Sequence, residues 1–222
     1  MLEKYLPNVD WEIMWIATKQ TLFMTSISVI AVFVFGVILG LLLFLTSKGN
    51  LWANKVVYTV VSAYVNIFRS IPFIILIVLL IPITKLLMGT MIGEKAALPA
   101  LIIGTAPFYA RMVEIALREI DKGVIEAAKA MGAKTSTIIW KVLIPESMPA
   151  IVSGITVTTI ALVGYTAMAG VVGAGGLGNL AYLDGFQRGR DDVTLVATII
   201  VLIIVFAVQF IGDYATSKID KR

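Results

Sequence analysis

Three stretches of the chain run without Asp, Glu, Lys or Arg for long enough to cross a bilayer: residues 20–47 (28 residues), 147–183 (37) and 193–212 (20). A hydrocarbon core of about 30 Å is spanned by roughly 20 helical residues, so each run predicts a transmembrane helix. Two further runs, residues 70–84 and 96–110, hold 15 residues each, slightly under the usual lower limit of about 17. Arg69, Lys85, Lys95 and Arg111 flank them and can extend their charged ends to the headgroups. Residues 56–68 are too short to cross alone and end at Arg69, so they read as an interfacial helix leading into the second span. The pattern predicts an all-α membrane protein of five transmembrane helices, one domain over residues 1–222.

Trp11, Trp15, Trp52 and Trp140 all lie outside the five runs, where an indole prefers the headgroup level. Gly36 and Gly40, four apart, and the glycine-rich segment 170–178 predict close helix packing. Pro72, Pro82, Pro99 and Pro107 predict bent helices. With five spans and the N-terminus outside, 12 of the 18 Lys and Arg residues fall on cytoplasmic segments, including Lys48, Lys122, Lys129, Lys221 and Arg222; Lys4 is among the six outside. The positive-inside tendency therefore puts the N-terminus outside and the C-terminus in the cytoplasm.

Composition narrows the function classes. Mean hydropathy is +0.96 and only 14% of residues are charged, against about 25% in soluble domains, which excludes a water-soluble fold. Cys and His are both absent, removing thiol nucleophiles, disulfides, imidazole bases and the usual zinc ligands, so no metal site and no catalytic residue is expected. No carboxylate lies within the runs, which disfavours a proton-driven carrier. The net charge of +4 reflects cytoplasmic loops and predicts no nucleic-acid partner. Glu3, Asp10 and Glu12 near the start do not fit a cleavable signal peptide. No phosphate loop of the G-x-x-x-x-G-K-[ST] type occurs, so no cofactor is expected on this chain.

The most informative charged stretch is the loop at residues 118–146. Residues 124–131 favour helix, Gly132 can take the left-handed conformation that ends it, Thr135 can cap a second helix, and Pro145 should prevent that one from continuing smoothly. Two short helices bent at Gly132 would then lie at the membrane surface. On chemistry alone such a hairpin suits docking to a partner or packing on its own bundle equally well.

The sequence Glu126-Ala127-Ala128, three residues, Gly132, nine residues, then Val142-Leu143-Ile144-Pro145 resembles the EAA loop of bacterial ABC importer permeases. Val142 and Ile144 stand where that family usually has Ile and Leu. A more extended resemblance, carried by VNIFRSIPFIIL, APFYARMVEIAL, KVLIPESMP and LVGYTAMAGVVGAGGLG, is to the permeases of methionine-uptake importers. The N-terminal twenty residues and residues 181–192 match less well.

The resemblance implies the type I ABC importer permease fold, a homodimer in the cell membrane, two ATPase subunits that hold ATP and Mg, and a methionine-binding lipoprotein on the outer side. It implies that Glu126, Ala127, Ala128, Gly132 and Pro145 belong to the ATPase-coupling loop. Met168 stands where that family has its gate residue; Tyr165, one turn earlier, is a second candidate for the translocation path, and ordinary packing is the alternative for both. Arg69, Arg111 and Glu114 are expected to form ion pairs without touching substrate. Asp213 either joins one of those arginines or meets water. Competing readings are a permease for another amino acid or a phosphonate, and a structural or chaperone-like membrane subunit; a membrane enzyme finds no site.

Overall fold

A computed structural model describes residues 6–220; Glu3, Lys4, Lys221 and Arg222, used above for charge and orientation, lie outside them. Helix α1 spans Trp11–Thr46 and is opened by Asp10, whose carboxylate accepts from the backbone N–H groups of Glu12 and Ile13. It begins nine residues before the charge-free run, so Trp11 and Trp15 ride on its first turns rather than on a separate segment. Asn54 caps α2, Lys55–Ser70, in the same way. Helix α3, Phe73–Leu79, and helix α4, Ile81–Met88, follow, and α5 occupies Glu94–Arg118 with Pro99 and Pro107 inside it.

The expected interfacial helix is a membrane element. Arg118, at the end of α5, reaches the Tyr58 hydroxyl at 3.5 Å, Val65 is buried against Leu43 and Ala110, and Phe68 and Phe73 share a cavity with Gly104 and Phe108. Helix α2 therefore climbs antiparallel to α5 from one membrane face towards mid-depth. It then turns by 109° into α3, so the second span is a broken one. The break falls at Ile71-Pro72, because proline disfavours a helical conformation in the residue before it; Ile71 is extended (φ −82°, ψ 124°). The α2–α3 pair stands as the fifth candidate crossing beside four long apolar helices.

Helix α6, Lys122–Ala130, starts on Asp121, whose carboxylate accepts from Gly123 N–H at 2.7 Å. Helix α7, Thr135–Ile138, passes through a π-helical turn, Ile139–Leu143, straight into α8, Ile144–Ala169. Thr135 is thus the first helical residue and not a cap; Lys134 precedes it, with no side-chain cap bond. Pro145 does not stop the helix. It sits in the first turn of α8, directly after the wide turn, where the loosened ladder accommodates a ring and a missing N–H.

The fourth span is shorter than its charge-free run. After α8 the chain leaves helical geometry at Val172 and Gly173, and Gly173, Gly175 and Gly176 take φ of 99°, 80° and 83°, values open to glycine at little cost. Helix α9, Gly176–Asn179, and a π-helical stretch, Leu180–Phe186, double back before α10, Asp191–Ile219. The glycines of 170–178 thus serve a chain reversal as well as packing: a side chain on Gly178 would strike the Ala167 backbone.

At the centre, α1 packs on α5. A Cβ at Gly36 would strike the Tyr109 ring, and one at Gly40 would lie 2.6 Å from Val113 Cβ and 2.7 Å from the Ala110 carbonyl. Tyr109 is fully buried and donates its hydroxyl to the Ile151 carbonyl at 3.1 Å, joining α8 to the same seam. Gly40→Val would force branched carbons into that seam and cost about 1–3 kcal/mol. The expected outcome is a lower thermal midpoint of the purified protein in detergent; an unchanged midpoint would show that the seam tolerates separation.

Candidate functional site

The loop between α5 and α8 is fixed by hydrogen bonds at both ends of α6. Gly132 has φ 76°; its N–H donates to Lys129 O at 2.9 Å and Ala133 N–H donates to Ala128 O at 3.1 Å. These two bonds make a Schellman cap, which needs the left-handed residue at that place. Ile125 and Ala128 are buried against the bundle, while Glu126, Ala127, Met131 and Gly132 face outward, Met131 at 81% exposure. Ala128 therefore packs inside its own subunit. A Cβ at Gly132 would meet nothing, so the outer surface of the bend is open. Trp140, 69% exposed on the π turn, lies beyond the same bend. Exposed Pro145 belongs to the span that follows it.

Behind the loop, Glu114 is completely buried and carries the charge that organises the Arg118 end of α5. It pairs with Arg111 and with Arg118 at 2.6 Å, whose Nε adds a second bond at 3.1 Å. The Arg111–Glu114 pair was expected; Arg118 was missed, although its spacing of four from Glu114 on one helix face is a readable signal. Arg69 does not join. It stands at the top of α2, exposed, and has no ion-pair or hydrogen-bond partner among the described residues. The separation has a simple cause: α2 climbs away from the membrane face where Glu114 is held. Asp213 meets none of these arginines and accepts from Gln209 at 2.7 Å.

At the other end of α8, Tyr165 and Met168 lie one turn apart. Tyr165 stacks on Phe73 with ring centroids 4.5 Å apart, and Met168 is 44% exposed. Val157, Gly164, Met168 and Val171 form an exposed stripe, and a Cβ at Gly164 would meet nothing. The stripe is smooth and apolar, suited to close approach of another helix. The reversal above it is held by α1: Gln20 Oε1 accepts from Gly176 N–H at 2.8 Å and Thr21 Oγ1 from Leu177 N–H at 2.9 Å. Sequence reasoning missed both anchors, since a polar residue in the early turns of an apolar helix does not announce its partner.

Residues 33–222 match the family described as binding-protein-dependent transport system inner membrane component. The chain belongs to that family of permeases. Over all 222 residues of both proteins, the permease is 69% identical to the methionine import system permease protein MetP of Bacillus subtilis. It is 52% identical to the D-methionine transport system permease protein MetI of Escherichia coli over 160 residues, 71% of this chain and 74% of that one. Among solved structures, it is similar to the permease chain of the MetNI methionine ABC transporter in an inward-facing conformation, with a TM-score of 0.92 and 46% identity, covering 96% of this permease and 100% of that chain. The fold is that of type I ABC importer permeases, in agreement with the expected class.

Removing Glu114 would leave two guanidinium groups facing each other at the foot of this permease's α5. Both arginines reach solvent, 29% and 51% exposed, so water offsets part of that loss. Glu114→Ala should lower the yield of folded protein and its thermal midpoint, and Arg118→Ala should do so less, since Arg118 is half exposed. Equal midpoints for wild type and Glu114→Ala would dismiss the structural role.

Proposed function

We propose that the chain is the membrane-spanning subunit of an ATP-driven importer that carries L-methionine and D-methionine into the cell. The observation that carries this reading is the 69% identity to a methionine import permease across the full length of both chains. The chain would act as a homodimer, with two ATPase subunits that hold ATP and Mg, and with a methionine-binding lipoprotein outside. It would catalyse no reaction itself. The N-terminus lies outside and the C-terminus in the cytoplasm, so that the α6 bend faces the ATPases.

In this reading each part has a task. Glu126, Ala127 and the open surface of Gly132 form the face on which an ATPase subunit docks, and Ala128 locks that face to the bundle. Movement of the docked subunit passes from the bend into α7 and on through the π turn and Pro145 to α8. The stripe through Gly164 and Met168 meets its counterpart in the second copy, closing the path at Met168 with Tyr165 beneath it. Alternation follows if ATP binding favours one arrangement of this interface and hydrolysis the other.

Reconstitution of the permease with its ATPase and binding protein in liposomes tests the reading. Labelled methionine should enter only when ATP is supplied. A permease that never copurifies with an ATPase would defeat the proposal. Gly132→Val would strain the bend, because a β-branched residue resists positive φ; uptake should fall while ATP hydrolysis continues. Met168→Ala should raise the leak of methionine without ATP. Wild-type leak and wild-type uptake in that variant would remove Met168 from the gate.

A further inference from the structure

Arg69 is the feature that the coupling loop and the gate leave unexplained. It lines a cavity of about 290 Å³ with Phe68, Phe73, Gly104, Phe108 and Tyr165. Gly104 lies about 15 Å along α5 from Glu94 and about 21 Å from Arg118 at ~1.5 Å per residue, so the cavity sits deep in the membrane. An exposed arginine at that depth, turned to lipid and without a counter-charge, is costly; such residues face a water-filled interior instead. Its own helix shows which side is wet. Thr59, Ser62, Asn66 and Arg69 recur at intervals of three and four on α2, one face of a helix. Thr59, Asn66 and Arg69 are exposed and Ser62 half-buried, and the Asn66 amide donates to Ser62 at 3.4 Å. A polar stripe thus rises from the inner end of α2 and ends at the cavity.

The cavity has two chemically distinct sides. The guanidinium offers a planar pair of donors suited to a carboxylate. The last-turn carbonyls of α2, stranded by the break at Ile71, are acceptors at the negative end of a helix, suited to an ammonium group. Phe73, Phe108 and Tyr165 also line the cavity, aromatic surface on which a thioether makes favourable contact. Among the described residues the Tyr165 hydroxyl has no partner either.

The geometry points to this cavity as a transient binding site for the transported amino acid inside the permease: Arg69 receives the α-carboxylate and the aromatic wall receives the side chain. The site rests on the importer reading and deepens it, since the permease itself then recognises its cargo one turn below the gate. Arg69 has this role in place of the structural ion pair expected of it.

The chain has no cysteine, so Phe108→Cys places a single permease thiol in the cavity wall. The test uses the assembled permease–ATPase complex without binding protein and follows modification of that thiol by a maleimide. L-methionine should slow labelling. Methioninamide, which keeps the thioether and amine but lacks the carboxylate, should need at least about ten times the concentration, the factor expected for losing a hydrogen bond to a charged group. In Phe108→Cys/Arg69→Gln the two compounds should protect alike, and Phe108→Cys/Arg69→Lys should keep part of the preference. Absence of protection by L-methionine, equal protection by the amide, or a preference that survives Arg69→Gln would each overturn the site. The parent reading fails separately: it falls if the wild-type assembly takes up no methionine with ATP and binding protein present, whereas uptake without protection in the cavity sinks the site alone.

Discussion

Between apolar helices in lipid no water is released on contact, so association depends on how closely two backbones approach and how many atoms they bring together. The seam of α1 and α5 meets this condition with Gly36 and Gly40, which let the Tyr109 ring and the Val113 side chain lie against the α1 backbone. Tyr109 extends the seam by its hydroxyl bond to α8, and α10 attaches to α8 where Gly212 meets Thr156. The other elements are placed by reference to this centre: α2 climbs along α5, and the loop after α8 folds onto the first turns of α1.

The same solvent forbids stranded peptide groups, and the three irregular places show three answers. At the reversal, Gln20 and Thr21 supply acceptors from another helix. Before Pro145, a π turn loosens the ladder locally without breaking it. At Ile71, the helix ends beside a cavity that can hold water. A permease needs such places, since a bundle of uninterrupted helices offers few polar groups to a passing solute. The chain concentrates its backbone irregularity at these places and keeps α1 and α10 regular.

Much of this was legible in the sequence. The charge-free runs identified three of the long helices as membrane elements, and the Glu-Ala-Ala to Gly132 spacing located the bend between α6 and α7 and its left-handed residue. The errors share a cause, which is that composition cannot say what an element packs against. Residues 56–68 read as a helix lying in the headgroups because the run is short and ends at Arg69; a charge that ends a run does not say whether the helix stops at a membrane face or continues, bent, within the membrane. Pro145 read as preventing a smooth continuation, and the π turn just before it is the form that interruption takes. Ala128 read as a docking residue along with its neighbours, although only three-dimensional packing decides which alanine of a pair turns inward. Arg69 was grouped with Glu114 through sequence runs that placed both at one membrane face, and the climb of α2 separates them.

The uninterrupted course of α7 and α8 has a mechanical meaning. From Thr135 to Met168 the chain stays helical through the π turn and two prolines, so a push at one end can be passed along it as along a rod. Gly154 lets the rod rest on Met112 and Tyr109, a natural fulcrum about 21 Å below Met168 at ~1.5 Å per residue. Tilting the rod by about 10° about that point would carry Met168 sideways by about 4 Å, by the same helical length, close to the width of a methyl group, while the bend at the far end swings the opposite way.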